Sequence, residues 1–149
     1  MSNPLSAFDS TVQTTHEWLN ELTGLLGCPD DPHRAYLALR VVLHALRDRL
    51  SVDEAAALGA QLPMLVRGFY YEGWHPHGKP IKERKREEFL AHIHEAFRQD
   101  PDVDPAQITR AVFQVLADHV TSGEIEKVKK TLPSEIRSLW PEEVHALTL

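Results

Sequence analysis

Nine histidines in a chain of 149 residues are the first side chains to weigh for chemistry. His92 and His94 stand two apart in a helical stretch, which points them about 200° from each other and away from a shared ligand. His75 and His77 flank Pro76 in a loop and are the one pair that could converge on an ion. They are the candidate metal ligands, although exposed loop imidazoles are the expected reading and no metal or cofactor is expected. Cys28 is the sole cysteine, so neither an intrachain disulfide nor a multi-cysteine zinc site can form. Asp30 and Asp31 follow it and disfavour a thiolate, which makes Cys28 a small packing residue. The adjacent pairs Glu87–Glu88 and Glu142–Glu143 complement helix starts rather than form an acid/base pair. No nucleophile elbow and no glycine-rich phosphate loop is present. An enzyme built on scattered histidines and carboxylates is therefore the third reading of function.

Charge gives a second candidate. The chain carries 22 acidic and 16 basic residues, a net −6. Yet Lys79, Lys82, Arg84, Lys85 and Arg86 stand against Glu83 alone, so 5 − 1 gives +4 locally and about −10 elsewhere. These five cations are the candidate anion-binding residues. Phe69, Tyr70, Tyr71 and Trp74 precede them, and aromatics beside cations are one signature of single-strand nucleic-acid binding. An acidic chain is a poor nucleic-acid binder overall, and Phe69 and Tyr70 read as core.

The elements that position these residues are repeated. Shifted by 70, residues 36–70 match 106–140 at 8 of 35 positions, including Arg40/Arg110, Asp48/Asp118, Glu54/Glu124, Leu62/Leu132, Pro63/Pro133 and Arg67/Arg137. Upstream the offset is 71, pairing Trp18 with Phe89 and Leu22 with Ile93. Two copies at this period indicate a duplicated multi-helix unit rather than a solenoid. The expected units span about 10–71 and 83–147, joined by a linker over 72–82, in one domain.

Each unit reads as helices. Trp18, Leu19, Leu22, Leu25 and Leu26 keep a 3–4 spacing, as do Phe89, Leu90, Ile93, Ala96 and Phe97. Asp31-Pro32 and Asp104-Pro105 pair an N-cap with proline at the first helical position. Tyr36, Leu39, Leu43, Leu46 and Leu50 form the next stripe in one unit; Ile108, Val112, Val115 and Leu116 form it in the other. Ser51…Glu54 and Thr121…Glu124 have the capping-box form. Leu62-Pro63 and Leu132-Pro133 then stop and restart the chain before last helices carrying Val66, Phe69, Tyr70 and Ile136, Leu139, Trp140. One more short turn is expected over 141–147. Arg67 and Arg137 read as scaffold arginines pairing with Asp48/Asp118 or with Glu54/Glu124. No stretch alternates as a strand would.

Leu62-Pro63, Arg67, Tyr70-Tyr71-Glu72-Gly73-Trp74 and Glu88-Phe89-Leu90 resemble the bacterial family DUF2267, a domain of unknown function, as do Leu132-Pro133, Arg137 and Leu139-Trp140-Pro141. The resemblance covers about residues 10–141. It implies a compact all-helical protein and no catalytic residues.

The fold class is thus all-α, a compact bundle of two repeated units. Function stays unknown, with a non-enzymatic interaction or scaffold module as the leading reading. An anion- or nucleic-acid-binding protein acting through 79–86 is the alternative. The partner is unknown, with a protein or a second copy as the candidates and nucleic acid disfavoured. The first ten residues lack a basic start and an apolar run, and no apolar stretch is long enough to span a bilayer. A cytoplasmic, membrane-free setting is expected.

Overall fold

A computed structural model describes residues 5–142. Among them are eight helices and no strand: α1 (Ser6–Leu26), α2 (Pro32–Arg47), α3 (Val52–Gly59), α4 (Met64–Tyr71), α5 (Arg86–Ala96), α6 (Pro105–His119), α7 (Ser122–Thr131) and α8 (Ser134–Arg137). α2 and α6 lie at the centre and touch each other. α1 packs on both, α5 packs on both, and α3 meets α7.

The helix starts follow local chemistry. The Asp31 side chain accepts from Arg34 N–H at 3.0 Å, and Asp104 accepts from Ala106 and Gln107 N–H. Proline follows each at a position where its missing N–H costs nothing. The interior face of α2 buries Leu39, Val42, Leu43 and Leu46 completely, and α6 buries Val112, Phe113, Val115 and Leu116. Each such side chain contributes about 1.5–3 kcal/mol on removal from water. Trp18, Leu22, Phe89 and Ile93 close this core from α1 and α5.

Several expectations shift. Leu25 lies off the buried stripe and is exposed. α1 starts at Ser6 and α5 at Arg86, so at the offset of 71 α1 runs about nine residues longer at its start. The linker extends over 72–85, three residues beyond the expected end. Ile81 N–H donates to Asp48 C=O at 2.9 Å there and holds the chain off the helix path. α8 is only four residues long. Leu139 and Trp140 follow it in tight turns, with N–H bonds to Ile136 and Arg137 carbonyls, and are still buried. The Trp140 ring stacks on Phe113 at 4.0 Å. Pro141 and Glu142 are not helical, and the rest of the expected 141–147 turn lies outside the described residues.

The two Leu-Pro corners take one form. Pro63 and Pro133 are N-caps, one residue earlier than expected, and their carbonyls accept from Arg67 N–H (2.8 Å) and Arg137 N–H (2.9 Å). Leu132 is extended, as a residue before proline must be, and both leucines are 2% exposed. Leu62→Ala and Leu132→Ala should each cost about 2–5 kcal/mol. Pro63→Ala and Pro133→Ala should cost about 1 kcal/mol, through the unfolded chain. Urea melts of the four single variants check this order.

Candidate functional site

The repeated arginines come first. Neither pairs with the carboxylates expected of it. Arg67 Nε donates to Gly59 C=O at 2.8 Å, and its Nη2 reaches the Ala60 and Leu62 carbonyls. Arg137 Nε donates to Lys129 C=O at 2.9 Å and its Nη2 to Leu132 C=O at 2.8 Å. The last carbonyls of a helix lack partners within it, and the guanidinium fork fills them across the Leu-Pro corner. The partners of both arginines are backbone oxygens rather than the expected carboxylates. At Gly59 a Cβ would meet Tyr71 Cζ at 2.8 Å, so glycine allows the close approach of α4.

The repeated carboxylates do different work. Asp48 accepts from Arg47 Nε at 3.1 Å, and Asp118 accepts from Gln114 at 2.9 Å. Only half of each capping box forms. Ser51 Oγ accepts from Glu54 N–H and Thr121 Oγ1 from Glu124 N–H. The glutamates do not reach back to the cap N–H. They turn toward each other between α3 and α7, where Oε2 of each is buried without a hydrogen-bond donor. Burial, then the Glu54 charge and a hydrogen bond with Glu54, hold the Glu124 carboxyl above its ordinary range against a weaker pull from Lys127. The glutamate half of a box appears instead at α5, where Lys85 N–H donates to Glu88 Oε1 at 3.2 Å.

The basic segment is brought against a buried arginine. Lys82, Arg84 and Lys85 are exposed, while Lys79 and Arg86 are half-buried. Arg49 is buried, donates to Ala45 C=O at 2.8 Å and to Glu83, and sits over the Phe89 ring at 5.0 Å. Burial lowers its proton affinity, with Glu83, Asp48 and Glu88 opposing. Arg47 is buried too and donates to the Tyr70 and Glu72 carbonyls at the end of α4. His44 Nε2 bonds Phe69 C=O at 2.6 Å beside it, and burial lowers its pKa despite that bond. Arg47 and Arg49 escaped the sequence reading because the repeat places Ala117 and His119 opposite them. Their one signal was a pair of cations next to a leucine stripe.

The remaining candidates are accounted for by position. His75 and His77 are exposed on the loop. Among the described residues no group of three or more His, Cys, Asp or Glu side chains is placed to hold a metal. Cys28 is half-buried, and its thiol is pushed up by burial first and by Asp31 as well, with Arg34 opposing. Tyr70 is buried with its hydroxyl on Ala55 C=O at 2.7 Å. Phe69 packs edge-on against Tyr36, so these two rings do not form a stacking platform beside the cations. One cluster was not foreseen: Glu21 binds His119 Nε2 at 2.7 Å, His119 stacks on Trp18, and burial followed by a hydrogen bond with Asp118 raises the Glu21 carboxyl.

Fold and contacts together define a small all-helical protein in which Arg67 and Arg137 serve its own helix ends. The chain belongs to the family described as uncharacterized conserved protein DUF2267, whose model matches residues 15–139. That description names no activity, and the function of the chain is unknown. Curated proteins offer no match. No helix among the described residues is long and apolar enough to cross a membrane.

Two outcomes are expected. Arg67→Met and Arg137→Met keep the aliphatic stem but strip donors from helix-end carbonyls, at about 1–3 kcal/mol each, measured by chemical denaturation. Glu124→Gln should raise Tm at pH 7.5. The folded chain holds the Glu124 proton to higher pH than the unfolded chain does, so stability falls as pH rises from about 4.5 through the raised value. Each 1 kcal/mol relieved is about 2–4 °C for a chain near this size. His44, with its lowered pKa, acts in the opposite sense on acidification, so the gap in Tm between wild type and variant from pH 4.5 to 7.5 isolates Glu124. A gap that does not widen with pH refutes the raised Glu124 carboxyl.

Proposed function

We propose that the chain is a non-enzymatic interaction module made of two repeated helical units, and that it docks an amphipathic helix of a partner protein along α1 and α4. The observation that carries this reading is an apolar surface spread over both elements. Phe8 (58% exposed), Val12, Met64 and Leu65 all lie open to solvent. Leu65 N–H donates to Thr11 Oγ1 at 3.0 Å, which fixes α4 beside this part of α1. Between them a groove of about 400 Å³ is lined by Val12, Leu19, Tyr36, Leu65 and Phe69. Contiguous exposed apolar surface marks interaction sites, and a groove between two helices suits the apolar stripe of a third.

The duplication is supported by contacts that recur 70 residues apart. Arg67 and Arg137 make the same kind of backbone bonds, Ser51 and Thr121 make the same cap, and Leu62 and Leu132 are equally buried. α1 packs on α6 as α5 packs on α2, the exchange expected if each unit completes the core of the other. The long start of α1, which carries Phe8 and Val12, has no counterpart at α5. It marks the face on which the units differ. A bacterial, cytoplasmic setting belongs to the same proposal; the family resemblance and the lack of any cysteine pair support it.

Phe8→Asp/Leu65→Asp alters two exposed residues and should leave Tm within about 2 °C of wild type. Tagged wild type and variant would be used to capture proteins from the same bacterial extract, with quantitative mass spectrometry. A protein retained by wild type and lost by the variant is the expected outcome. An unchanged set overturns the docking face. Sedimentation showing a homodimer that the variant dissolves would replace the foreign helix with a second copy.

A further inference from the structure

Residues 81–85 run without helix, and an extended chain alternates its side chains. Ile81 and Glu83 turn inward. Glu83 binds Arg49 on one side and His92 Nε2, at 3.0 Å, on the other. Lys82 and Arg84 are exposed. With Ile81, Glu83 and Arg49 they line a cavity of about 300 Å³ that Thr131 and Pro133 close at the corner between α7 and α8. Three cations against one carboxylate make this lining +2 in a chain of net −6.

Arg49 gives the cavity a fixed donor. Its side chain is 2% exposed. Phe89 beneath the guanidinium and the Ala45 carbonyl set its plane. Nη1 and Nη2 have acceptors, but Nε is buried without one. A buried donor without an acceptor is costly, so Arg49 keeps hydrogen-bonding capacity that the protein leaves unused beside the cavity it lines.

We propose that the cleft between segment 80–84 and the α7–α8 corner binds a phosphoryl oxyanion, either inorganic phosphate or the phosphate group of a small ligand. Arg49 is the preset donor, and Lys82 and Arg84 close over the anion from the solvent side. A guanidinium fork matches two oxygens of a tetrahedral anion, and an ammonium adds a point charge. The cavity is at the small end of ligand sites, which suits one anionic group better than a polymer. Lys79 and Lys85 do not line it, whereas a nucleic-acid strand would use the whole basic segment.

The test is a titration of the isotope-labelled full chain with sodium phosphate and with pyrophosphate at pH 7.5, sodium chloride holding ionic strength constant, followed by amide NMR shifts. Saturable shifts at 82–84 and 131–132 are expected. Lys82→Glu/Arg84→Glu, both exposed, should weaken binding at least tenfold at unchanged Tm, and Lys127→Glu on α7 should leave it within twofold. Lys82→Gln and Arg84→Gln as single variants carry the same test should the double variant melt early. No saturable shift at tens of millimolar phosphate overturns the proposal, as does equal binding by wild type and the double variant. A single-stranded oligonucleotide that binds through Lys79, Lys85 and Arg86 with steep salt dependence, while phosphate does not bind, makes the segment a nucleic-acid surface and also overturns it.

Discussion

Backbone groups at helix ends are the constraint on which this molecule depends. A helix leaves four carbonyls unpaired at its C-terminus however short it is. α3, α4, α7 and α8 have eight, eight, ten and four residues, so ends make up much of their length. Protein side chains serve several of these carbonyls. Arg67 serves the end of α3 and Arg137 that of α7. His44 and Arg47 serve the end of α4. Arginine suits this task twice, as a donor and as a charge complementing the negative pole of a helix.

The corners in turn set the core and its polar seam. Each guanidinium bonds the carbonyls of a leucine-proline turn, and the leucine of that turn is buried in the core. With the corners fixed, α3 and α7 meet, and Glu54 and Glu124 are brought into one partly dry space. The two carboxyls oppose each other there when both are charged. Burial and the Glu54 charge hold the Glu124 carboxyl above its ordinary range, so this contact loses stability as pH rises.

The same tie between α2 and the chain after α4 positions the basic segment. Arg47 holds Glu72 by its carbonyl, and Asp48 holds Ile81 by its N–H. Between these two anchors the linker carries its turns. Beyond them it is extended, with Lys82 and Arg84 outward and Glu83 on Arg49. A segment that sequence alone shows as a run of charge therefore has two faces, one structural and one open. The apolar surface on α1 and α4 is separate from it in kind, since hydrophobic contact rather than charge defines it.

Sequence by itself determined the elements. Asp-Pro starts, Ser/Thr caps, leucine stripes and Leu-Pro corners act within a few residues, so the residues that specify them are neighbours in the chain. The helical class, the two central stripes and both corners were legible for that reason. What the charged residues bind was decided only by tertiary structure. Arginine and carboxylate match in type, so the sequence points Arg67 and Arg137 to carboxylates. A folded corner offers backbone oxygens closer by, and these have no type to read. Glu54 looks from its neighbours like a capping glutamate, yet it faces Glu124, 70 residues away. Arg49 looks like an ordinary surface cation and is buried, because the linker folds back over it. Such partners come from helices packed at long sequence separation. Local patterning cannot encode them, since the same caps and stripes are compatible with other packings.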